Sequence, residues 1–213
     1  MTAKTPTRSR SNDPAATRRD ILEVAIREFS RNGLAGARID EIAARTATSK
    51  RMIYYYFKNK QGLYLAALEK SYHDIRQIEG TLRLESMSPT EAVRTLVGFT
   101  FDYQSSNPDF VRLVMNENML HGQYLAQSAS IKELNIPAIT GIREIYARGC
   151  EQGVFRKGLD PIDLHASISA LCFFNVANQH TFSLIFKRDM TAPETYAQRR
   201  RNVIDMILRY MLA

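Results

Sequence analysis

Ser49-Lys50-Arg51, followed by Tyr54 and Tyr55, gathers a hydroxyl, two cations and two phenols into seven residues. Ammonium and guanidinium groups at that density suit donation to guanine O6 and N7 or neutralisation of phosphate. On a helix, positions 50, 51, 54 and 55 fall on one side, because residues three and four apart are neighbours. Little else in the chain has the spacing of a reactive site. His73, His121, His165 and His180 form no His-x-x-x-His pair, and neither a Gly-x-Ser-x-Gly elbow nor a phosphate-binding P-loop occurs. Cys150 and Cys172 lie 22 residues apart, which fits neither a zinc ligand pattern nor a disulfide framework. The expectation is a protein without catalytic residues, metal or required cofactor, in a reducing cytoplasm.

The elements that must carry this cluster are legible from charge and punctuation. Residues 1–60 hold 13 Lys and Arg against 6 Asp and Glu, whereas residues 61–213 hold 16 of each. The whole excess of +7 sits in the first sixty residues, the pattern of a basic module meeting a polyanion joined to a neutral body. A solvated basic face is the plainer alternative. With 45% apolar and 24% charged residues over 213 positions, the chain can bury a core and is neither disordered nor fibrous. Its longest apolar runs, such as 170–174, are far short of the ~20 residues that span a bilayer, so no membrane role is expected.

Proline marks helix starts. Ser88-Pro89-Thr90-Glu91 has the N-cap and N3 glutamate of a capping box, Asn107-Pro108 and Asp160-Pro161 repeat the cap-then-proline order, and Thr191-Ala192-Pro193-Glu194 is a second box. Apolar residues recur at three and four after these starts, and nothing alternates with period two. The expectation is an all-α chain of about nine helices, the longest running over residues 161–187. Residues 1–14 read as a basic tail. A helix with Ile21, Leu22, Ala25 and Phe29 on one face stops at Asn32-Gly33, and two short helices follow over residues 39–46 and 49–57. Two short helices after a longer one, carrying all the net charge, predict a helix-turn-helix, with three ordinary packed helices as the alternative. Its second helix places Lys50 and Arg51, with Ser49 and Tyr55 beside them, as base-reading candidates in a major groove. Tyr55 can equally reach a phosphate. Ile42, Ala43, Ile53 and Phe57 are spaced to pack the short helices on Phe29.

Gly33-Leu34-Ala35-Gly36-Ala37-Arg38-Ile39-Asp40-Glu41-Ile42-Ala43 and Ser49-Lys50-Arg51-Met52-Ile53-Tyr54-Tyr55-Tyr56-Phe57-Lys58-Asn59-Lys60-Gln61-Gly62-Leu63 resemble the DNA-binding domain of the TetR family of bacterial repressors. The resemblance implies an operator-binding N-terminal domain (15–60) and a C-terminal domain (61–213) for dimerisation and a small-molecule effector. It also implies release of double-stranded DNA when the effector binds, and phosphate contacts from Tyr54 and Lys60. A core tyrosine with a satisfied hydroxyl is the alternative for Tyr54. Two positions depart from the family pattern. The usual Thr/Ser pair before the first short helix is Ala37-Arg38, so Arg38 is expected to supply the phosphate contact. The usual turn glycine is Ala47, where a left-handed backbone costs about 1 kcal/mol.

In the body, polar residues within apolar helices mark a candidate effector pocket, since burying them unpaired costs roughly 1–3 kcal/mol. Tyr103, Asn116, Cys172, Asn175 and Gln179 are the candidates, and each also fits a structural role across a core or dimer seam. Cys172 is either an oxidant sensor or an inert buried thiol. The last two helices, residues 161–187 and 193–212, carry surplus apolar surface. Phe182, Ile185 and Phe186 with Ile204, Leu208 and Met211 are expected to meet their own copies in a four-helix bundle, making a homodimer. The competing expectation is a helical protein-interaction adaptor whose basic end only solubilises it.

Overall fold

A computed structural model describes residues 13–46 and 48–213. The expected tail over 1–14 falls outside that range except for Asp13 and Pro14, and so does the turn position Ala47. The described residues are all-α, with one isolated bridge between Phe155 and Leu212. Ten α-helices occur among them: α1 (Pro14–Gly36), α2 (Ile39–Arg45), α3 (Lys50–Phe57), α4 (Lys60–Glu79), α5 (Pro89–Ser106), α6 (Pro108–Met119), α7 (Ala129–Glu151), α8 (Pro161–Ala177), α9 (Gln179–Phe186) and α10 (Pro193–Met211). None of the described helices is long and apolar enough to cross a membrane.

The chain divides into two compact units between Ala67 and Leu68, inside α4. In the first, Asp13 accepts a hydrogen bond from the Ala15 N–H at 2.9 Å and Pro14 opens α1. The helix breaks at Gly33, whose φ of 63° is in the left-handed region that glycine adopts freely, before a last turn ends at Gly36. Ile21, Leu22, Ala25 and Phe29 from α1 meet Ile42 of α2, Ile53 and Phe57 of α3, and Leu63 and Tyr64 of α4 in a fully or almost fully buried core. The Phe29 and Tyr64 rings pack edge to face, 5.2 Å between centroids.

The second unit is built on α5, α7, α8 and α10, whose apolar stripes close one core. It contains Val93, Leu96, Val97 and Phe101, then Ile142 and Ile145, then Leu164, Ile168 and Cys172, and then Val203, Ile204 and Ile207. A smaller cluster joins Ile75 of α4, Phe110 and Val111 of α6 and Val176 of α8, with Tyr72, Phe99 and Tyr103 packed on it. The Arg200 guanidinium grips Asp102 with two nitrogens at 2.8–3.0 Å, and the Tyr196 hydroxyl donates to the same carboxylate, fastening α10 to α5. Arg148 of α7 donates to the carbonyls of Leu84, Glu85 and Met87, closing the turn that precedes α5.

Local chemistry explains where the cap signals hold. The Ser88–Glu91 capping box is formed in both directions, and Asp160 accepts from the Ile162 N–H at 2.6 Å. Asn107 stands at the N-cap of α6, but its amide donates back to the Tyr103 carbonyl. The Thr191 box is not formed. Both the N–H and the hydroxyl of Thr191 donate to Asp189, and the N-cap position falls on Ala192, whose methyl group cannot accept a hydrogen bond. The expected long helix over 161–187 is two helices, because Asn178 leaves helical geometry (φ −107°, ψ 3°). That break raises the number from the expected nine to ten, and α1 and α7, at 23 residues, are longer than either piece. Pro137 lies inside α7 and starts nothing.

The expected dimer seam is corrected in part. Ile204, Leu208 and Met211 face inward and are buried in their own chain, so they are not available to a second copy. Leu184, Ile185 and Phe186 are 80%, 70% and 62% exposed, and α9 has no buried residue. On α10 the exposed apolar side chains are Met206 and Tyr210.

Candidate functional site

The basic module presents α3 through a chain of local bonds. Ser49 is the N-cap of this helix, its hydroxyl accepting from the Met52 N–H at 3.2 Å. Lys50, Arg51 and Tyr55 are exposed, Tyr55 by 76%, while Ile53 and Phe57 turn inward. Tyr54 is 38% exposed and outside the core. Tyr56 stands between Tyr55 and Phe57, in ring contact with both. The helix ends where Lys58 takes φ 65° and ψ −55° and the Asn59 N–H reaches the Phe57 carbonyl at 2.7 Å, a tight γ-turn. Asn59 then accepts from the Gly62 N–H at 2.7 Å. A side chain at Gly62 would place its Cβ 2.2 Å from the Phe57 carbonyl oxygen, so the α3–α4 corner depends on that glycine.

Of the residues expected at phosphates, Lys60 opens α4 at this corner and Arg38 stands at the start of α2. The Lys60 ammonium donates to the Ala35 carbonyl at 3.1 Å, linking the start of α4 to the end of α1 and leaving two further donors. Arg38 is exposed at the N-cap of α2, and its side chain makes no cap bond. Its backbone N–H donates to Glu28 at 3.3 Å. Lys50 is not free: its Nζ lies 3.0 and 3.3 Å from the two oxygens of Asp40, which hold its pKa above the ordinary lysine value. The Arg18 guanidinium lies 5.3 Å from the centroid of the Phe57 ring.

Glu28 is the positioning residue missed in the sequence. It is 3% exposed, one oxygen accepting from the Asn32 amide and the Arg38 N–H, and the other facing Arg45 Nη1 at 3.3 Å. One carboxylate thus joins α1 to both ends of α2. The signal was present, since Glu28 falls three residues after Ala25 and seven after Ile21, within the apolar stripe.

Two of the five pocket candidates of the body fall in different apolar clusters, Cys172 in the larger and Tyr103 against the smaller. Cys172 is fully buried in the larger core, 4.0 Å from the Val97 carbonyl, and burial pushes its thiol up to about 12. A thiol so protonated and enclosed has no thiolate to offer an oxidant. Tyr103 packs between Phe99 and Phe110 beside the smaller cluster, and burial, with the Asp74 carboxylate adding to it, pushes its phenol up to about 12. Asn175 is 4% exposed and its Oδ1 is buried without a hydrogen-bond partner. Asn116 is half-buried on α6. Gln179 is half-buried at the first position of α9, its amide 3.4 Å from the ring of His180.

Other groups near the smaller cluster were not singled out by sequence. Buried Glu117 accepts from the N–H groups of Tyr124 and Leu125 with Oε1, while its Oε2 has no partner. Arg76 pairs with Glu79 yet leaves its Nε buried and unpartnered. Burial lowers the pKa of His165, and the charge of Arg76 adds to this, favouring a neutral imidazole. A narrow apolar space among α5, α7, α8 and α10 is lined by Val93, Leu96, Ile142, Ile145, Leu164, Ile168 and Met211, none of them a pocket candidate. Among the described residues, no group of three or more His, Cys, Asp or Glu side chains is arranged to hold a metal.

Two family models match separate stretches of the chain. Residues 21–67 match the family described as bacterial regulatory proteins, tetR family, and residues 89–207 match the tetracyclin repressor-like C-terminal domain. The chain is 34% identical over 209 residues, 98% of each chain, to the HTH-type transcriptional repressor NicS of Pseudomonas putida. It is 32% identical to the HTH-type transcriptional repressor SCO4008 of Streptomyces coelicolor, over 72% of this chain and 75% of that protein. Among solved structures, the putative transcriptional regulator SCO4942 from Streptomyces coelicolor superposes with a TM-score of 0.69 at 25% identity, covering 92% and 98% of the two chains. AibR, solved with isovaleryl coenzyme A and operator DNA, shares the fold with a TM-score of 0.66 at 19% identity, covering 89% and 97%.

Proposed function

Because the chain belongs to the TetR family of bacterial transcriptional regulators, we propose that it is a homodimeric repressor that binds a palindromic operator and releases it when a small molecule enters the body. Residues 15–60 form the DNA-binding module in this reading, and residues 61–213 bind the effector and make the dimer. The observation that carries it is the exposed row of Lys50, Arg51 and Tyr55 on a helix whose other face is buried in the module's own core. Side chains presented at the start of such a helix reach base edges in a major groove. Arg51 and Lys50 read bases, with Ser49 and Tyr55 beside them, and Arg38, Tyr54 and Lys60 hold phosphates.

Selection of bound fragments from random DNA at fixed salt tests this directly. An inverted repeat is expected, with half-sites about 34–36 Å apart or a multiple of that, because a two-fold dimer offers two equivalent helices. Recovery of random or asymmetric DNA alone would remove the dimeric repressor and favour the adaptor.

The effector reading rests on buried polar atoms without partners, since such atoms cost about 1–3 kcal/mol each unless something satisfies them. Asn175 Oδ1 and Glu117 Oε2 are two of these. The relay is α4, which begins at Lys60 and carries Tyr72, Ile75 and Arg76 on its later turns. Coupling of this kind is typically about 1–3 kcal/mol, and DNA must weaken effector binding by the same factor. Asn175→Ala and Tyr103→Phe are expected to bind the operator normally and to lose response to a small molecule that releases the parent. Operator titrations with and without that molecule measure it, and a normal response in both variants removes these residues from the pocket.

A further inference from the structure

Lys50 is the first residue of α3, and Asp40 lies in the first turn of α2. Both side chains reach toward solvent, 49% and 60% exposed, yet the ammonium sits 3.0 and 3.3 Å from the two carboxylate oxygens. Arg38 and Tyr54 are also near enough to act on the Lys50 charge. This arrangement is odd for a cation whose only task is to meet phosphate. A lysine neutralised by its own carboxylate releases little counterion when DNA arrives, and the carboxylate repels the backbone. For a base contact the same pair is an advantage. One N–H is committed to Asp40, which fixes the direction of the other two on a side chain with otherwise large rotamer freedom.

We infer that Asp40 is a positioning residue for sequence reading: it holds the Lys50 ammonium away from phosphate and aims it at a base edge, trading general affinity for selectivity. The inference rests on the proposed base-reading role of Lys50 and adds to it a residue that touches no DNA. Removing the carboxylate should therefore tighten binding to the wrong sequences, the opposite of what loss of a DNA contact or of folding does.

The test uses the full-length protein, its selected inverted repeat and a scrambled duplex of equal composition, titrated across a salt series. Asp40→Asn is expected to bind the scrambled duplex about three- to tenfold more tightly near 0.1 M salt, with log affinity falling more steeply against log salt by about one unit. Its ratio of operator to scrambled affinity should fall about tenfold, within the range that one base contact supplies. Asp40→Glu should recover most of that ratio. Lys50→Ala should lose the same preference, and Asp40→Asn in the Lys50→Ala background should add nothing to the loss of ratio. Weaker binding of Asp40→Asn to both duplexes without a steeper salt slope would mean that Asp40 only supports the fold, and would overturn the inference. A parental ratio in Asp40→Asn beside a relaxed Lys50→Ala would overturn the role of Asp40 alone. Retained preference in Lys50→Ala would remove the base-reading role and the inference with it.

Discussion

Ile185→Glu is expected to turn a dimer into a monomer and to cost the full operator about two to four orders of magnitude in affinity, with the melting temperature falling only by what association itself contributed and no longer rising with protein concentration. The helix α9 has no buried residue, and its apolar Leu184, Ile185 and Phe186 stand mostly in solvent. Phe182 meets Phe174 of α8 edge to face at 5.7 Å and lies tilted against Phe186 at 4.5 Å, which braces α9 against α8 without covering its outer face. Contiguous apolar surface of this kind marks an interaction site, and a second copy closed by two-fold symmetry is the occupant proposed above. A glutamate at its centre would bury an unpaired charge on association and nothing in the monomer. Two half-sites bound by one dimer gain roughly 10²–10⁴ over one half-site, and that factor goes with the dimer. Sedimentation analysis gives the oligomeric state, and titration of whole and half operators gives the affinity. A variant that stays dimeric with parental operator affinity would place the interface elsewhere.

Where the fold was legible in the sequence, the reason was local chemistry. Ser88 and Asp160 cap their helices because each hydrogen bond closes within three residues and needs nothing from the rest of the chain. Thr191 carried the same signal, but its N–H and hydroxyl both donate back to Asp189, and a short pattern does not show which way a hydroxyl turns. The break at Asn178 was hidden because the residues around it are polar but not helix-breaking by type, so their propensities leave one helix and two nearly equal. Ile204, Leu208 and Met211 illustrate a different limit. Periodicity shows which residues share a face of α10 but not whether that face meets its own chain or a copy, and packing against α5 and α8 decided it.

The candidate site shows the same division. The exposed row on α3 followed from where Ile53 and Phe57 must pack, which a heptad-scale pattern reveals. The Lys50–Asp40 pair did not follow, because ten residues and a turn separate the partners and only the angle between α2 and α3 brings them together. The buried polar atoms of the body were partly legible: Asn175 interrupts an apolar helix, whereas Glu117 stands between two asparagines and Arg76 between Asp74 and Glu79, so both look like surface residues. Cys172 was legible as a site or as core, and its burial with a thiol held at about 12 favours core.

Glu28 carries the other large expected effect, since a carboxylate placed in the core must be satisfied on every side. Truncation in Glu28→Ala removes the acceptor of the Arg38 N–H and the Asn32 amide and leaves a cavity beside α1. Loss of charge-assisted hydrogen bonds at a buried site supports a destabilisation of about 2–4 kcal/mol. The pair with Arg45 adds little of this, because that guanidinium is about half exposed and solvent screens it. Glu28→Gln separates the two contributions. Its amide oxygen can still accept from Arg38 and Asn32, while its amide nitrogen meets Arg45 donor to donor, so a loss of about 1 kcal/mol or less is expected. Denaturant titration followed by circular dichroism measures both. The N–H of Arg38 stands at the N-cap of α2, and α2 supports α3, so Glu28→Ala should also lower operator affinity about tenfold where the protein is still folded. Affinity for scrambled DNA should change far less, because the phosphate-binding cations are all retained. Parental stability and operator affinity in Glu28→Ala would mean that the apolar core alone holds α2 in place.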